Sequence, residues 1–173
     1  MIDKTEEAEA VDFAERMASS ENFVALFREG MSLLEETADY LDGPGREHSQ
    51  QLSRLGALAY ATESMKLTTR LMQMASWLLL QRALNDGEMS REQARQEKRK
   101  VRLEHSEDQE RSAGFDDMPE PLRDLIDRSL RLQARIRHLD QQLDGDMPQS
   151  PRPANPVEDQ LSRVRSVFGP GES

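Results

Sequence analysis

Between Ala57 and Met89 the chain reads ALAYATESMKLTTRLMQMASWLLLQRALNDGEM, with no proline and no glycine before Gly87. Nothing in that stretch stops a helix, and its Ala, Leu, Met, Gln and Lys favour one. Wound at about 100° per residue it carries two apolar rows. Leu55, Leu58, Thr62, Met65, Thr69, Met72, Ser76, Leu79 and Ala83 form the first, and Tyr60, Ser64, Leu67, Leu71, Met74 and Leu78 the second. Glu63, Lys66, Arg70, Gln73, Trp77 and Gln81 occupy the strip left over. A helix that is apolar over more than half its circumference does not belong on a surface. It is expected at the centre of a bundle, with neighbours on two sides. The single tryptophan, Trp77, falls on the polar strip, with Leu80 and Leu84 at its margin. An outward Trp flanked by Leu has the composition of a partner-binding anchor; the plainer alternative is that another segment folds over it.

The rest of the composition agrees with helices. Of 173 residues, 36% are hydrophobic and only 5% aromatic, so a Leu/Met/Ala core suits a bundle better than a sheet. A formal net charge of −10 opposes contact with phosphate backbones and favours basic or apolar protein surfaces as partners. The absence of cysteine removes disulfides, thiolate catalysis and Cys-based zinc sites. The acidic start MIDKTEEAEA has no apolar core of a secretory signal. The run MASWLLL is much shorter than the roughly 20 residues of a membrane span. A cytoplasmic protein without membrane partner is expected.

Along the chain, residues 1–19 form an acidic extension that reads as a weak helix or a frayed end, with Ser19 and Ser20 as a helix cap. A first helix follows over 21–42, with Phe23, Phe27, Met31, Leu34, Ala38 and Leu41 as its apolar stripe. The DGPGR segment stops it. The long helix spans 49–86. Ser90 and Gln93 form a capping box that opens a charged helix to about Glu104. Residues 105–118 read as a mobile loop. Pro119 and Pro121 start a third main helix that ends near Leu143, with Leu122, Leu125, Ser129, Leu132, Ile136, Leu139 and Leu143 in one stripe widened by Ile126 and Leu130. The architecture expected is all-α: an antiparallel three-helix bundle over 20–144, a short charged helix between its second and third members, and a disordered tail over 145–173. The tail carries four prolines in DGDMPQSPRPANP. It then offers Val157, Leu161, Val164 and Phe168 at helical spacing as a second candidate partner-binding element.

No catalytic chemistry emerges. His48, His105 and His138 share no metal-ligand spacing. Adjacent Glu35 and Glu36, or Asp116 and Asp117, do not face each other on a helix, and no phosphate-binding loop or nucleophile elbow is present. The basic run Lys98, Arg99, Lys100, Val101, Arg102 suits a helix C-terminus. Thr68, Thr69 and Ser76 read as small hydroxyls bonding back to their own helix where two helices pack closely. No catalytic residue, cofactor or metal is expected.

REGMSLLEETADYLDGPGR (28–46) and LAYATESMKLTTRLMQMASWLLLQRALNDGEM (58–89) resemble the alphaproteobacterial family of regulators of CtrA degradation, RcdA. The resemblance extends over about 20–143 and rests on long strings, YATES and LTTRLMQ among them. It implies a dimerising three-helix bundle with a disordered C-terminal tail, acting as a non-enzymatic adaptor. Such an adaptor delivers cell-cycle regulators such as CtrA to the ClpXP protease together with co-adaptors. A dimeric helical scaffold or signalling partner unrelated to proteolysis is the alternative.

Overall fold

The computed structural model describes residues 4–101 and 110–145, with side chains described over 20–101 and 110–143. Five α-helices account for most of them: α1 Lys4–Asp42, α2 Pro44–Gln50, α3 Arg54–Asn85, α4 Arg91–Lys100 and α5 Glu120–Gly145, with a 3₁₀ turn at Phe115–Asp117. No strand occurs among the described residues. The chain divides into two compact units, 1–138 and 139–173; all contacts below lie in the first. Of the second, the last turns of α5 are described.

The first helix starts earlier than expected. α1 runs from Lys4 through Ser19 and Ser20 without a cap. Once a helix is nucleated, a serine inside it costs only about 0.5 kcal/mol relative to alanine, less than ending one helix and starting another. Its buried stripe is also turned by about one residue. Phe23, Leu26, Gly30, Leu33, Thr37 and Tyr40 are buried, whereas Phe27, Met31, Leu34 and Leu41 are half-buried and Ala38 is exposed. The shift follows from two positions that hydrophobicity alone passes over. Gly30 admits Leu78 of α3 so closely that an added methyl would lie 2.5 Å from Leu78 Cδ1. Thr37 enters the core because its hydroxyl donates to the Leu33 carbonyl at 2.7 Å.

Gly43 breaks the chain for a single residue, after which Pro44 opens α2 at a first-turn position. The long helix is therefore shorter than the 49–86 expected. Ser53 caps it, its hydroxyl accepting from the Gly56 amide at 3.0 Å. At α4 the capping box forms as expected, with Ser90 and Gln93 each bonding the other's backbone. α5 also matches its expected stripe: Leu122, Leu125, Ile126, Ser129, Leu132, Ile136 and Leu139 are buried, while Leu130 and Leu143 are half-buried. Burying each such Leu or Ile contributes about 1.5–3 kcal/mol.

α1, α3 and α5 touch one another directly. Phe23 meets Trp77 with ring centroids 6.5 Å apart, Arg70 donates to Ser129 at 2.8 Å, and Arg128 grips both oxygens of Glu36 at 2.8 Å. The described part of the expected loop is packed rather than loose. Phe115 and Met118 are buried. Gly114 takes φ +86° with the Leu55 carbonyl oxygen 3.0 Å from where a Cβ would sit, so the turn requires glycine on both counts.

Candidate interaction surface

α3 is inverted with respect to its hydrophobicity. Its strip of polar residues faces inward: Glu63, Arg70, Trp77 and Gln81 are all buried, alongside Leu67, Leu71, Met74 and Leu78 from the second apolar row. The first row faces outward. Leu55, Leu58, Met65, Met72 and Leu79 are 50%, 65%, 71%, 63% and 53% exposed.

Glu63, Arg70 and Gln81 each find hydrogen-bond partners. Glu63 Oε1 accepts from the Ser112 amide at 3.0 Å, the Ser112 hydroxyl at 2.6 Å and Lys66 Nζ at 3.3 Å. Burial pushes the Glu63 carboxyl up, but the two Ser112 bonds and the Lys66 charge outweigh it and hold it below its ordinary value. Lys66 also donates to the Glu110 carbonyl at 3.2 Å. Glu63 and Lys66 thus fasten the segment before α5 onto α3. Gln81 bonds Lys98 and Asn85, both at 2.8 Å.

Trp77 is 1% exposed, so the expectation that it points outward is corrected. Phe23 covers it from α1, and the Lys98 ammonium of α4 lies 4.5 Å from its ring centroid. The indole is the largest apolar side chain on the helix, and burying it favours turning this arc of α3 to the core. Lys98, from the basic run, is spent on this lid. Leu80 and Leu84 are half-buried. Val157, Leu161, Val164 and Phe168 lie outside the described residues.

The outer face has its own order. The exposed residues of α3 between Arg54 and Arg82 are Leu, Ala, Met, Thr and Ser only. Its three charged residues in that interval, Glu63, Lys66 and Arg70, lie on the other side. Leu58, Met65, Met72 and Leu79 stand seven residues apart, and so do Leu55, Thr62, Thr69, Ser76 and Ala83. Thr68 and Ser76 bond back to the carbonyls four residues earlier, both at 2.9 Å, which satisfies them without water. The five large side chains present on the order of 500 Å² of apolar surface, at the upper end of what an isolated soluble protein exposes in one patch. No signal from hydrophobicity distinguished this row from a core row. The seven-residue spacing, that of a helix seam, was the one available clue.

A groove of 270 Å³ lies elsewhere, between Glu36, Asp39, Tyr40, Pro44, Pro121, Asp124 and Leu125. Its acidic groups are partly engaged: the Arg128 hydrogen bond holds the Glu36 carboxyl below its usual range. Burial, with a smaller effect of Tyr60, pushes the Tyr40 phenol up to about 12, so it stays neutral. Among the described residues no set of three His, Asp or Glu side chains converges as a metal site, and no helix is long and apolar enough to cross a membrane.

These features define an all-helical protein carrying an uncharged apolar face on one central helix. Residues 14–168 match a family described as a protein of unknown function, DUF1465. The crystal structure of RcdA from Caulobacter crescentus CB15 is 51% identical, over 69% of this chain and 88% of that one, with a TM-score of 0.58. No curated protein matches. The chain belongs to the RcdA family.

Proposed function

We propose that this protein is a non-enzymatic, cytoplasmic adaptor that delivers cell-cycle regulators such as CtrA to the ClpXP protease, together with co-adaptors. It works as a homodimer of antiparallel three-helix bundles. The observation that carries the reading is the outer face of α3: a row of Leu and Met at least half exposed, on a helix that turns Glu63 and Arg70 into the core. Such a face is built to be covered by protein. The 51% identity to a protein named RcdA supports the proteolytic role, and the tail over 145–173, with Val157, Leu161, Val164 and Phe168, supplies a tethered docking peptide. A tether raises the local concentration of a weakly held cargo near the protease.

The same face also supports a dimeric scaffold unrelated to proteolysis, and one assay separates the two. Purified ClpXP, its co-adaptors and CtrA are combined with and without this protein. Faster CtrA loss in its presence supports the adaptor; an unchanged rate with every co-adaptor present removes that role and leaves the scaffold. Deleting 145–173 should reduce the acceleration if the tail docks.

A further inference from the structure

We propose that the groove between α1, the start of α2 and the start of α5 is a docking site for a basic segment of a partner protein. One large apolar side chain of that segment enters the groove, and Lys or Arg beside it meets the carboxylates at the mouth. The groove shares no residue with the outer face of α3 and would serve an adaptor or a scaffold alike.

The groove is built before any ligand arrives. Buried Tyr40 and Leu125 and the exposed rings of Pro44 and Pro121 supply its apolar lining. A proline ring loses no rotamer freedom when it is covered. Tyr40 is fixed by its hydroxyl, 3.2 Å from His48 Nδ1. It is also fixed by Gly45, where an added Cβ would lie 2.7 Å from the Tyr40 carbonyl oxygen and 3.0 Å from its Cε1. The volume of 270 Å³ falls below the roughly 300–1,000 Å³ of pockets that enclose a small molecule. It suits a single side chain of Leu or Phe size.

Charge selects the occupant. Glu36, Asp39 and Asp124 line the groove, and no Lys, Arg or His does. Arg128 offsets part of this: it holds both oxygens of Glu36 at 2.8 Å and reaches Asp124 at 3.4 Å. One guanidinium against three carboxylates leaves the mouth negative. Asp39 makes no ion pair among the described residues. It also sits in the last turn of α1, where the helix dipole favours cations, yet that turn has no basic residue. Asp42 there is met by Arg46 at 3.0 Å, which leaves Asp39 as the locally unfavourable choice. Such a conflict between local preference and position marks a residue kept for another purpose. The first turn of α5 does not reverse the sign. Pro121 has no amide hydrogen, and the Leu122 and Arg123 amides bond the Pro119 carbonyl at 3.1 and 3.2 Å. Glu120 and Asp124 offset the positive end of that helix, so it offers little to an anion.

The peptide Gly-Lys-Arg-Phe-Arg-Lys-Gly, and the same peptide with Leu for Phe, are titrated into the isotope-labelled full-length protein and followed by amide chemical shifts. Binding should saturate with a Kd on the order of 0.1 mM, the affinity of one buried side chain aided by screened charges. The shifts should centre on Tyr40, Gly45 and Leu125. A peptide with Ala for Phe should bind roughly tenfold or more weakly. Asp39→Lys should lose roughly tenfold in affinity while melting about 1–4 °C higher, because a cation suits that helix end. Lost affinity with a lower melting temperature means that Asp39 serves the fold, and overturns the docking role. Glu88→Gln with Glu92→Gln makes the same change of charge away from the groove and should bind as the wild type does. An equal loss there means bulk attraction to an acidic protein and overturns the proposal. Failure of both peptides to bind below about 1 mM, or shifts centred elsewhere, also overturns it. Binding that appears only when residues 145–173 are deleted gives the groove to the chain's own tail instead. A halved mass of Asp39→Lys in light scattering gives it to a second copy, and either result rules out the partner segment.

Discussion

Trp77 shows how one side chain can set the rotation of a whole helix. Its neighbours along the strip are Glu63, Lys66, Arg70, Gln73 and Gln81, and by hydrophobicity that strip belongs outside. The indole is instead enclosed by Phe23 and Lys98, and Glu63, Arg70 and Gln81 turn inward with it because each finds a partner. Trp77→Ala should therefore behave as a core truncation. It is expected to destabilise the fold by about 3–5 kcal/mol in urea melts, with the oligomeric mass of the still-folded fraction unchanged. Glu63 offers a pH-dependent counterpart. Its carboxyl titrates below the ordinary 4.5 in the folded state, so the unfolded chain binds the proton more readily. Its contribution is complete above 4.5 and is lost as pH falls through the lowered folded value. Glu63→Gln should cost about 1–3 kcal/mol at neutral pH, and the gap from wild type should close in acid; an equal gap at both pH values would show that the charge is irrelevant.

At the scale of elements, what the sequence made legible depends on which force fixed each one. α5 was readable almost residue by residue, since its buried stripe is one-sided and apolar apart from Ser129 and Gln133. The capping box at Ser90 was readable because it is local chemistry. α1 was readable as a helix, but its stripe was misplaced by one residue, since Gly30 and Thr37 enter the core for close approach and for an internal hydrogen bond. α3 was readable as a long helix and not as a rotation. Two apolar rows flanked one polar strip, and the choice between them lay in tertiary contacts from Ser112, Ser129 and Lys98 that no local pattern contains. The family resemblance, carried by uninterrupted strings in the same helix, did not depend on that choice. Because Met65 and Met72 in the outer row of α3 are 71% and 63% exposed, changing them should spare the fold. Met65→Glu with Met72→Glu is expected to retain the far-ultraviolet circular dichroism of the wild type. Loss of helix would mean the row is a core row after all.

For the whole molecule, a net charge of −10 keeps copies apart except where charge is absent, and the outer face of α3 is such a place. On the proposed adaptor reading, that face would bring a second copy, and with it two sets of weak contacts that act together. A homodimeric adaptor requires that face to be covered by another chain. Light scattering on the full-length protein and on the Met65→Glu, Met72→Glu variant tests it most directly. The wild type should have twice the 19.8 kDa chain mass and the variant the mass of one chain. A wild type at 19.8 kDa, or a variant that keeps the doubled mass, would contradict it.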